Sequence, residues 1–177
     1  MKYSASFGDG ESKSAYRFAL RRDWTDELTL FTDAVRGPQH ALFIMLNPST
    51  ADAEKNDPTV AKCIRLSQRW GFGALEVRNI FPLRSTDPSR LRKELHDPKI
   101  TKRNMLAIAE CLNDPNTGII VAAWGNHGSY LQRAVMVRDV LAKSGVPVYC
   151  FKISDQGQPV HPLYQTEVDL EEMQRWL

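Results

Sequence analysis

An unbroken apolar run from Ala41 to Leu46 constrains the fold of this chain more than any other feature. None of its side chains suits contact with water, and Asn47 and Pro48 end it. A strand whose side chains do not alternate is typical of a sheet that is covered on both faces. Such sheets are built mainly from parallel strands joined by helices, so the run predicts a buried strand in an α/β fold.

Segments of strand and helix character alternate along the rest of the chain. Further strands are predicted at about residues 75–80, 118–124 and 146–153. Helices are predicted at Pro58 to Trp70, in stretches up to about Leu112, at Tyr130 to Ser144 and in the acidic tail. Asp57 is placed to cap the first helix and Pro58 to open it. We expect one domain over residues 1–177, with three αβα layers around a mostly parallel central sheet.

The first forty residues are expected to add an N-terminal β hairpin, or a pair of strands, at an edge of the sheet. Alternating side chains divide between two sides, with Tyr16, Phe18 and Leu20 on one and Arg17 and Ala19 on the other. After a polar break, a second apolar set follows at Leu28, Leu30 and Phe31.

Polar motifs follow all four predicted strands. They are LNPST around Asn47, RNIFPLRSTDP around Asn79, AWGNHG from residues 123 to 128 and HPLY from His161. In open α/β sheets, ligands bind outside the carboxyl ends of the strands. We therefore expect these four motifs, called the strand-end motifs below, to build one cleft.

Two residues in the motifs suit hydrolysis. Asn47 can hold a water by accepting and donating at once, with Ser49 and Thr50 facing the same cleft. The alternative is an Asx-turn in which Asn47 satisfies only its own loop. His161, in a turn rich in Gly and Pro, can donate to a developing anion or shuttle a proton, although a structural role is also open. His127, beside Asn126, is a second candidate.

Three carboxylates follow the first motif, at Asp52, Glu54 and Asp57. Any of them could serve as a general base or a metal ligand. A helix cap is favoured for Asp57, and exposure to solvent for the other two. The chain has no HxxxH or CxxC spacing, so no metal site is expected. A P-loop and a GxSxG motif are also missing, which excludes a P-loop nucleotidase and the usual serine hydrolase.

The net charge of +2 hides a basic segment. Its cations are Arg84, Arg90, Arg92, Lys93, Lys99, Lys102 and Arg103. Such a segment can meet phosphates, or can be a solvated helix surface. The cysteines, at positions 63, 111 and 150, are widely spaced and odd in number, as in the reduced, buried thiols of a cytoplasmic protein. Apolar runs stay far below the ~20 residues of a membrane span, so no membrane partner is expected.

The motifs LNPSTADAEKNDPTV, RNIFPLRSTDP, AAWGNHG and HPLY resemble a bacterial and phage family known only as a domain of unknown function, over nearly the whole chain. Their order is more distantly similar to the uracil-DNA glycosylase superfamily, from Ala41 to Tyr164. In that superfamily the first motif positions a water, the second carries an asparagine that reads the base, and a final H-P-S histidine stabilises the departing base anion. Asn47-Pro48, Asn79 and His161-Pro162 match these positions.

Three departures from that superfamily are visible. Leu163 stands where serine is usual, and no aromatic near Thr59 replaces the residue that stacks on the base. Some members hold an iron–sulfur cluster on four cysteines, which three scattered cysteines cannot supply, so no cofactor is expected.

The resemblance implies a uracil-DNA-glycosylase-like fold and a hydrolase that cleaves the N-glycosidic bond of a flipped, normal or modified base in DNA. Asn47 and His161 would be catalytic. Substrate would contact Pro48, Ser49, Thr50, Asn79, Phe81, Trp124, Asn126, His127 and Tyr164, and DNA phosphates would contact Arg84, Arg90 and Arg92. The alternatives are a nucleic-acid- or nucleotide-binding module without catalysis and an enzyme that acts on free nucleosides or nucleotides.

Overall fold

A computed structural model of the chain describes residues 1–8, 14–28, 39–93 and 97–177. The strands in these ranges are β1 (Lys2–Phe7), β2 (Arg17–Asp23), β3 (His40–Met45), β4 (Ala74–Asn79), β5 (Thr117–Ala123), β6 (Val148–Cys150) and β7 (Gln174–Arg175). The α-helices are α1 (Thr25–Leu28), α2 (Pro58–Arg69), α3 (Arg90–Lys93), α4 (Pro98–Cys111) and α5 (Arg133–Ser144). Short 3₁₀ segments lie at Asn126–Gln132, Pro162–Tyr164 and Leu170–Glu172.

Within the described residues the strands form one seven-stranded sheet, in the order β1-β2-β4-β3-β5-β6-β7. The four central strands, β4, β3, β5 and β6, are parallel. Antiparallel strands flank them, β1 and β2 on one side and β7 on the other. The α/β class is confirmed, but the sheet is mixed, and the mostly parallel sheet of the sequence prediction is not confirmed.

Strand β3 is buried along its whole length, as the apolar run predicted. Phe43 and Met45 pack on the face that α2 covers, with Val60 and Ile64 of that helix. Leu42 and Ile44 pack on the opposite face, which α4 and α5 cover. Helices therefore lie on both faces of the central strands.

Helix α2 begins and ends close to where the sequence predicted. The carboxylate of Asp57 accepts a hydrogen bond from the backbone N–H of Val60 at 2.8 Å, and Pro58 opens the first turn. The helix ends at Arg69, with Trp70 in the following cap position. This cap fixes the Asp57 carboxylate at the start of α2, seven residues after the end of the LNPST motif.

Two sequence predictions at the C-terminal side are wrong in extent. Helix α5 starts at Arg133, not at Tyr130, because Leu131 and Gln132 have φ angles of 52° and 55° that no α-helix accepts. Strand β6 is limited to Val148–Cys150, because the chain then turns through a loop in which Ser154 N–H donates to Gln158 O.

The acidic tail is not an α-helix. It contains one 3₁₀ turn at Leu170–Glu172, closed by a capping box with Asp169, and then strand β7 beside β6. Ion pairs tie the tail to α2, from Arg65 to Glu167 at 3.3 Å and from Arg69 to Asp169 at 2.6 Å. The acidic residues therefore pair across to α2 and do not continue as a helix.

An antiparallel pair from the N-terminal residues lies at one edge of the sheet, but it consists of β1 and β2, whereas the sequence pattern placed the two strands at residues 16–20 and 28–31. The second half of the prediction is wrong where it can be compared, since Leu28 lies in α1, while Leu30 and Phe31 lie outside the described residues. Strand β2 also pairs with β4 and buries Phe18 and Leu20, so it is part of the sheet.

The three cysteines are free and buried, as expected from their spacing. Burial raises the pKa of the Cys63 thiol, that of Cys111 to about 12 and that of Cys150 to about 11. None of the helices among the described residues combines the length and the apolar character that crossing a membrane requires.

Candidate functional site

A cavity of about 390 Å³ opens at the carboxyl ends of the parallel strands and is called the pocket below. All four strand-end motifs contribute to its wall. Its lining residues are Arg17, Met45, Leu46, Asn47, Ser49, Asp57, Thr59, Val60, Ser85, Thr86, Pro88, Trp124, Gly125, Asn126, His127, Ser154, Val160, His161 and Tyr164. The cleft that the sequence predicted at the ends of the four strands is therefore present.

The carboxamide of Asn47 ties the first two motifs together. Its Nδ2 group donates to the carbonyl oxygens of Pro48 at 2.9 Å and of Ser85 at 2.8 Å. The backbone N–H of Ser85 also donates to Pro48 O at 2.9 Å. Asn47 thus holds its own loop and the second motif through its NH2 group, which is a different arrangement from the Asx-turn alternative, and its N–H groups are committed. Its Oδ1 is the atom that a ligand or water can use as an acceptor.

The imidazole of His161 is a neutral hydrogen-bond donor. Its Nδ1 accepts the backbone N–H of Leu163 at 3.3 Å, which assigns the ring proton to Nε2. Burial lowers the pKa of His161 to about 4, and the Asp57 carboxylate opposes this effect only in part. At neutral pH the ring therefore offers an Nε2–H without a positive charge.

Gly125 allows the third motif to pack against this histidine. Its φ of 70° is in the left-handed region, where glycine is favoured, and its N–H donates to Pro159 O at 2.7 Å. A Cβ atom at this position would lie 3.6 Å from Cβ of His161. The turn at Gly125 therefore sets both the end of β5 and the place of the histidine loop.

Arg17 is a lining residue that the sequence interpretation missed. It is only 2% exposed, and its Nη1 donates to Ala51 O at 2.6 Å while Nη2 donates to Asn79 Oδ1 at 3.4 Å. Burial lowers its pKa to about 10, so the guanidinium stays charged at neutral pH. The alternating pattern of β2 predicted only that Arg17 faces away from Phe18, which gave no sign that this side is also buried.

Asp57 lines the pocket as well as capping α2. Its Oδ2 accepts the N–H of Ala51 at 3.4 Å in addition to the cap hydrogen bond from Val60. Its negative charge acts on Arg17 and on His161, raising the pKa of both against the larger effect of burial. The sequence interpretation considered a general-base or metal-ligand role for Asp57 but favoured the helix cap, and the structure places the carboxylate in both positions.

Four of the predicted substrate residues do not line the pocket: Pro48, Thr50, Asn79 and Phe81. Asn79 is 2% exposed and reaches the pocket only through Arg17, while Asn104 donates to its backbone oxygen at 2.8 Å. Phe81 is fully buried beneath the guanidinium of Arg133. Both residues are held in place by packing between β4 and the helices, which strand periodicity does not reveal.

The aromatic residues of the pocket differ in access. Trp124 is 1% exposed, donates to Gln158 Oε1 at 2.9 Å and packs edge-on against Trp176, so its ring belongs to the core. Tyr164 is 79% exposed and packs against His161 with ring centroids 5.8 Å apart. Tyr164 is therefore the pocket aromatic whose face is open to a ligand.

The predicted phosphate contacts lie next to the pocket but outside its wall. Arg84, Arg90 and Arg92 belong to the same segment, residues 84–93, as the lining residues Ser85, Thr86 and Pro88. The guanidinium of Arg92 sits 4.8 Å from the ring centre of Tyr130, and that ring packs against His127 of the pocket. We call residues 84–93 the arginine segment.

Among the described residues, no group of three or more His, Cys, Asp or Glu side chains is placed to hold a metal ion. The polar groups of the pocket are amides, hydroxyls, one carboxylate, one guanidinium and imidazoles. They can orient a polar ligand, donate to one side of it and place a negative charge beside it.

One family model matches the chain, over residues 17–163, and it is described as a protein of unknown function (DUF1643). The matched range begins at Arg17 and contains every lining residue of the pocket except Tyr164. No curated protein and no solved structure matches the chain.

The state of His161 gives the first testable prediction. Its ring should titrate with a midpoint near pH 4 and carry its proton on Nε2, because burial disfavours the imidazolium and Nδ1 is occupied. Long-range ¹H–¹⁵N NMR spectra report both properties, and the variant His161→Gln identifies the signal. Acidification from pH 7 to 4 should also destabilise the wild type more than this variant, because the unfolded chain takes up the proton first. A midpoint near the ordinary ~6.5 would contradict this account.

Proposed function

The chain belongs to the family described as protein of unknown function (DUF1643), and we propose that it is a DNA glycosylase-like hydrolase. It cleaves the N-glycosidic bond of a normal or modified base that has been flipped into the pocket. The observation that carries the proposal is that His161, whose Nδ1 accepts the Leu163 N–H and whose Nε2 is left to donate, shares one pocket with Asn47 and Asp57. A base inside a duplex is inaccessible, so flipping precedes the reaction.

The size and charge of the pocket support a base as its occupant. A volume of about 390 Å³ lies in the range of small-molecule sites, roughly 300–1,000 Å³. Apolar side chains of Met45, Leu46 and Val60 alternate in the wall with hydroxyl and amide groups. The buried charges of Arg17 and Asp57 cancel, so the interior favours a neutral ligand over a free anion.

His161 acts on the leaving group. As the C–N bond breaks, its electron pair moves onto the base, and Nε2–H donates a hydrogen bond to the forming anion. Because the ring is neutral at pH 7, it stabilises the anion by hydrogen bonding and does not have to transfer a proton to it. This stabilisation exists mainly in the transition state, so it raises turnover more than affinity.

Asn47 and Asp57 act on the sugar side of the bond. The free Oδ1 of Asn47 accepts a hydrogen bond from the attacking water and orients it, while its Nδ2 stays bound to Ser85 O. The carboxylate of Asp57 faces the positive charge that develops on the sugar, as carboxylates do in glycoside hydrolysis. The water oxygen ends on the sugar carbon, and the proton that this water releases ends on the departing base anion.

Tyr164 and the arginine segment hold the strand outside the pocket. A base that approaches His161 meets the exposed ring of Tyr164, and stacking on such a ring stabilises an unpaired base by about 1–3 kcal/mol. Arg84, Arg90 and Arg92 continue from the pocket wall and bind the phosphates on either side of the flipped nucleotide. Base recognition and backbone binding thus use adjacent surfaces.

A second candidate function is a binding module that keeps the pocket without hydrolysis. The observation that favours it is the commitment of both Asn47 donors to backbone oxygens, together with Leu163 in the place of a polar residue after His161-Pro162. The pocket volume also admits a free nucleoside or nucleotide as the substrate of an enzyme. Two properties distinguish the three functions by experiment: whether the protein cleaves its ligand, and whether it requires a nucleic-acid strand.

The catalytic proposal is tested by base excision. Oligonucleotides with normal and modified bases are incubated with the protein, and alkali-labile abasic sites are counted. On the best substrate, Asn47→Ala and His161→Ala should each lower the single-turnover rate by about 10²–10³ and leave affinity nearly unchanged. The exposed Asn113→Ala serves as the control, with thermal melts showing that each variant is folded. Excision at the wild-type rate by the folded variants would refute these catalytic roles.

The strand-binding proposal is tested by salt dependence. Affinity for a single-stranded oligonucleotide should fall steeply with salt, because each phosphate contact releases a counterion. Replacing Arg84, Arg90 and Arg92 with alanine should flatten the slope of log K against log salt by about 0.7 for each lost contact. The control removes equal charge at Lys2, Arg69 and Lys143, none of which lines the pocket. Equal slopes for both triple variants would exclude the arginine segment from strand binding.

A further inference from the structure

The guanidinium of Arg17 has a donor that the protein itself does not use. Its two hydrogen bonds run to Ala51 O at 2.6 Å and to Asn79 Oδ1 at 3.4 Å. Its Nε atom is buried and has no hydrogen-bond partner among the described residues. A buried donor without a partner is costly, and more than nine in ten such groups in proteins are satisfied. Nη1 and Nη2 each make one of their two possible hydrogen bonds, so the guanidinium of this lining residue also has N–H donors left for a ligand.

The two hydrogen bonds of Arg17 fix its guanidinium in one position. The side chain is 2% exposed although it lines the pocket, so it belongs to the inner wall and not to the entrance. Ala51 follows the LNPST motif, and Asn79 ends β4, so two strand ends clamp the guanidinium from two directions. A planar group held at both terminal nitrogens cannot turn to avoid a ligand that does not suit it.

The chemistry of the Arg17 guanidinium determines which ligand atom can contact it. A guanidinium carries donors and no acceptor, so it matches a ligand oxygen and repels the hydrogens of an amino group. Asp57 balances its charge within the pocket, which favours a neutral carbonyl oxygen over a phosphate or carboxylate at this point. Asn79 lies behind Arg17 and does not line the pocket; its Oδ1 accepts from Nη2, and its buried Nδ2 has no hydrogen-bond partner among the described residues.

We propose that Arg17 is the specificity-determining residue of the pocket and binds a carbonyl oxygen on the base through its free N–H. Asn79 is a positioning residue, which acts by orienting Arg17. The role that the sequence suggested for Asn79 at the base edge therefore passes to a residue on β2. This inference rests on the proposed function only in taking the ligand to be a nucleobase, and it does not depend on catalysis.

Equilibrium binding of free nucleosides tests the inference without any bond cleavage. Uridine is compared with cytidine, and inosine with adenosine, because each pair exchanges a carbonyl oxygen for an amino group at one ring position. Wild-type protein should bind the carbonyl member of each pair at least about tenfold more tightly, measured by isothermal titration calorimetry or ligand-observed NMR, since the amino member leaves a buried donor unpaired. Inorganic phosphate, added as a competitor, should not displace uridine or inosine.

Variants then assign the preference to Arg17. Arg17→Lys keeps the charge but loses the planar guanidinium with its fixed N–H groups, and should reduce the preference to about threefold or less. The matched control is Arg21→Lys on the same strand, whose arginine pairs with Asp23 and Glu76 and does not line the pocket. Asn79→Ala should weaken the preference, and Asn79→Asp should restore it, because only the latter keeps an acceptor for Arg17.

The outcomes separate this inference from the proposed function. Preference for carbonyl nucleosides with no base excision supports the Arg17 site and refutes the glycosylase. Excision without any such preference refutes the Arg17 site alone. Equal binding within each pair, displacement by phosphate, or no binding up to millimolar nucleoside would overturn the inference on wild-type protein, whether or not the Arg17 variant folds.

Discussion

The architecture depends on the burial of β3 on both faces. Its side chains are covered by α2 on one side and by α4 and α5 on the other. Helical connections lead from β3 to β4 and from β4 to β5, and both β4 and β5 run parallel to β3. The carboxyl ends of these strands therefore lie at the same edge of the sheet. Backbone hydrogen bonds from Ile80 to Met45 O and from Phe81 to Leu46 O extend the pairing beyond the strands and carry the second motif past the first. The pocket lies where these loops separate.

The electrostatics of the site divide into an inside and an outside. Inside, the charges of Arg17 and Asp57 oppose each other, and burial keeps His161 neutral, so the pocket carries little net charge. Outside, the arginine segment is positive and continuous with the pocket wall. A neutral interior suits a neutral base, and the basic surface beside it suits the negative phosphates that flank that base. This contrast, more than any single residue, links the fold to the proposed function.

The sequence predicted the central strands and the meeting of the four strand-end motifs. Apolar runs indicate buried strands, and the polar, glycine and proline residues after them indicate where those strands end. Periodicity could not show that the second side of β2 is also covered, so Arg17 was missed. For Asp57 the sequence offered a helix cap or a chemical role as alternatives, and it could not show that one carboxylate both caps α2 and lines the pocket. The break at Leu131 and the strand at residues 174–175 depend on backbone angles and on pairing with distant residues, which local propensity does not specify. The roles of Asn47 and His161 remain predictions, placed now in a defined geometry.

The central claim is that the pocket receives a base while the arginine segment holds the adjoining strand, and chemical-shift mapping tests it most directly. A ¹⁵N-labelled sample of the His161→Ala variant, which should bind without turnover, is titrated with a short single-stranded oligonucleotide. The account predicts coincident shifts at Asn47, Ser49 and Gly125 in the pocket and at Arg90 and Arg92 beside it. Shifts limited to the arginine segment, with the pocket unmoved, would contradict it, as would shifts centred on the β1–β2–β4 surface around Ser4, Arg21 and Glu76.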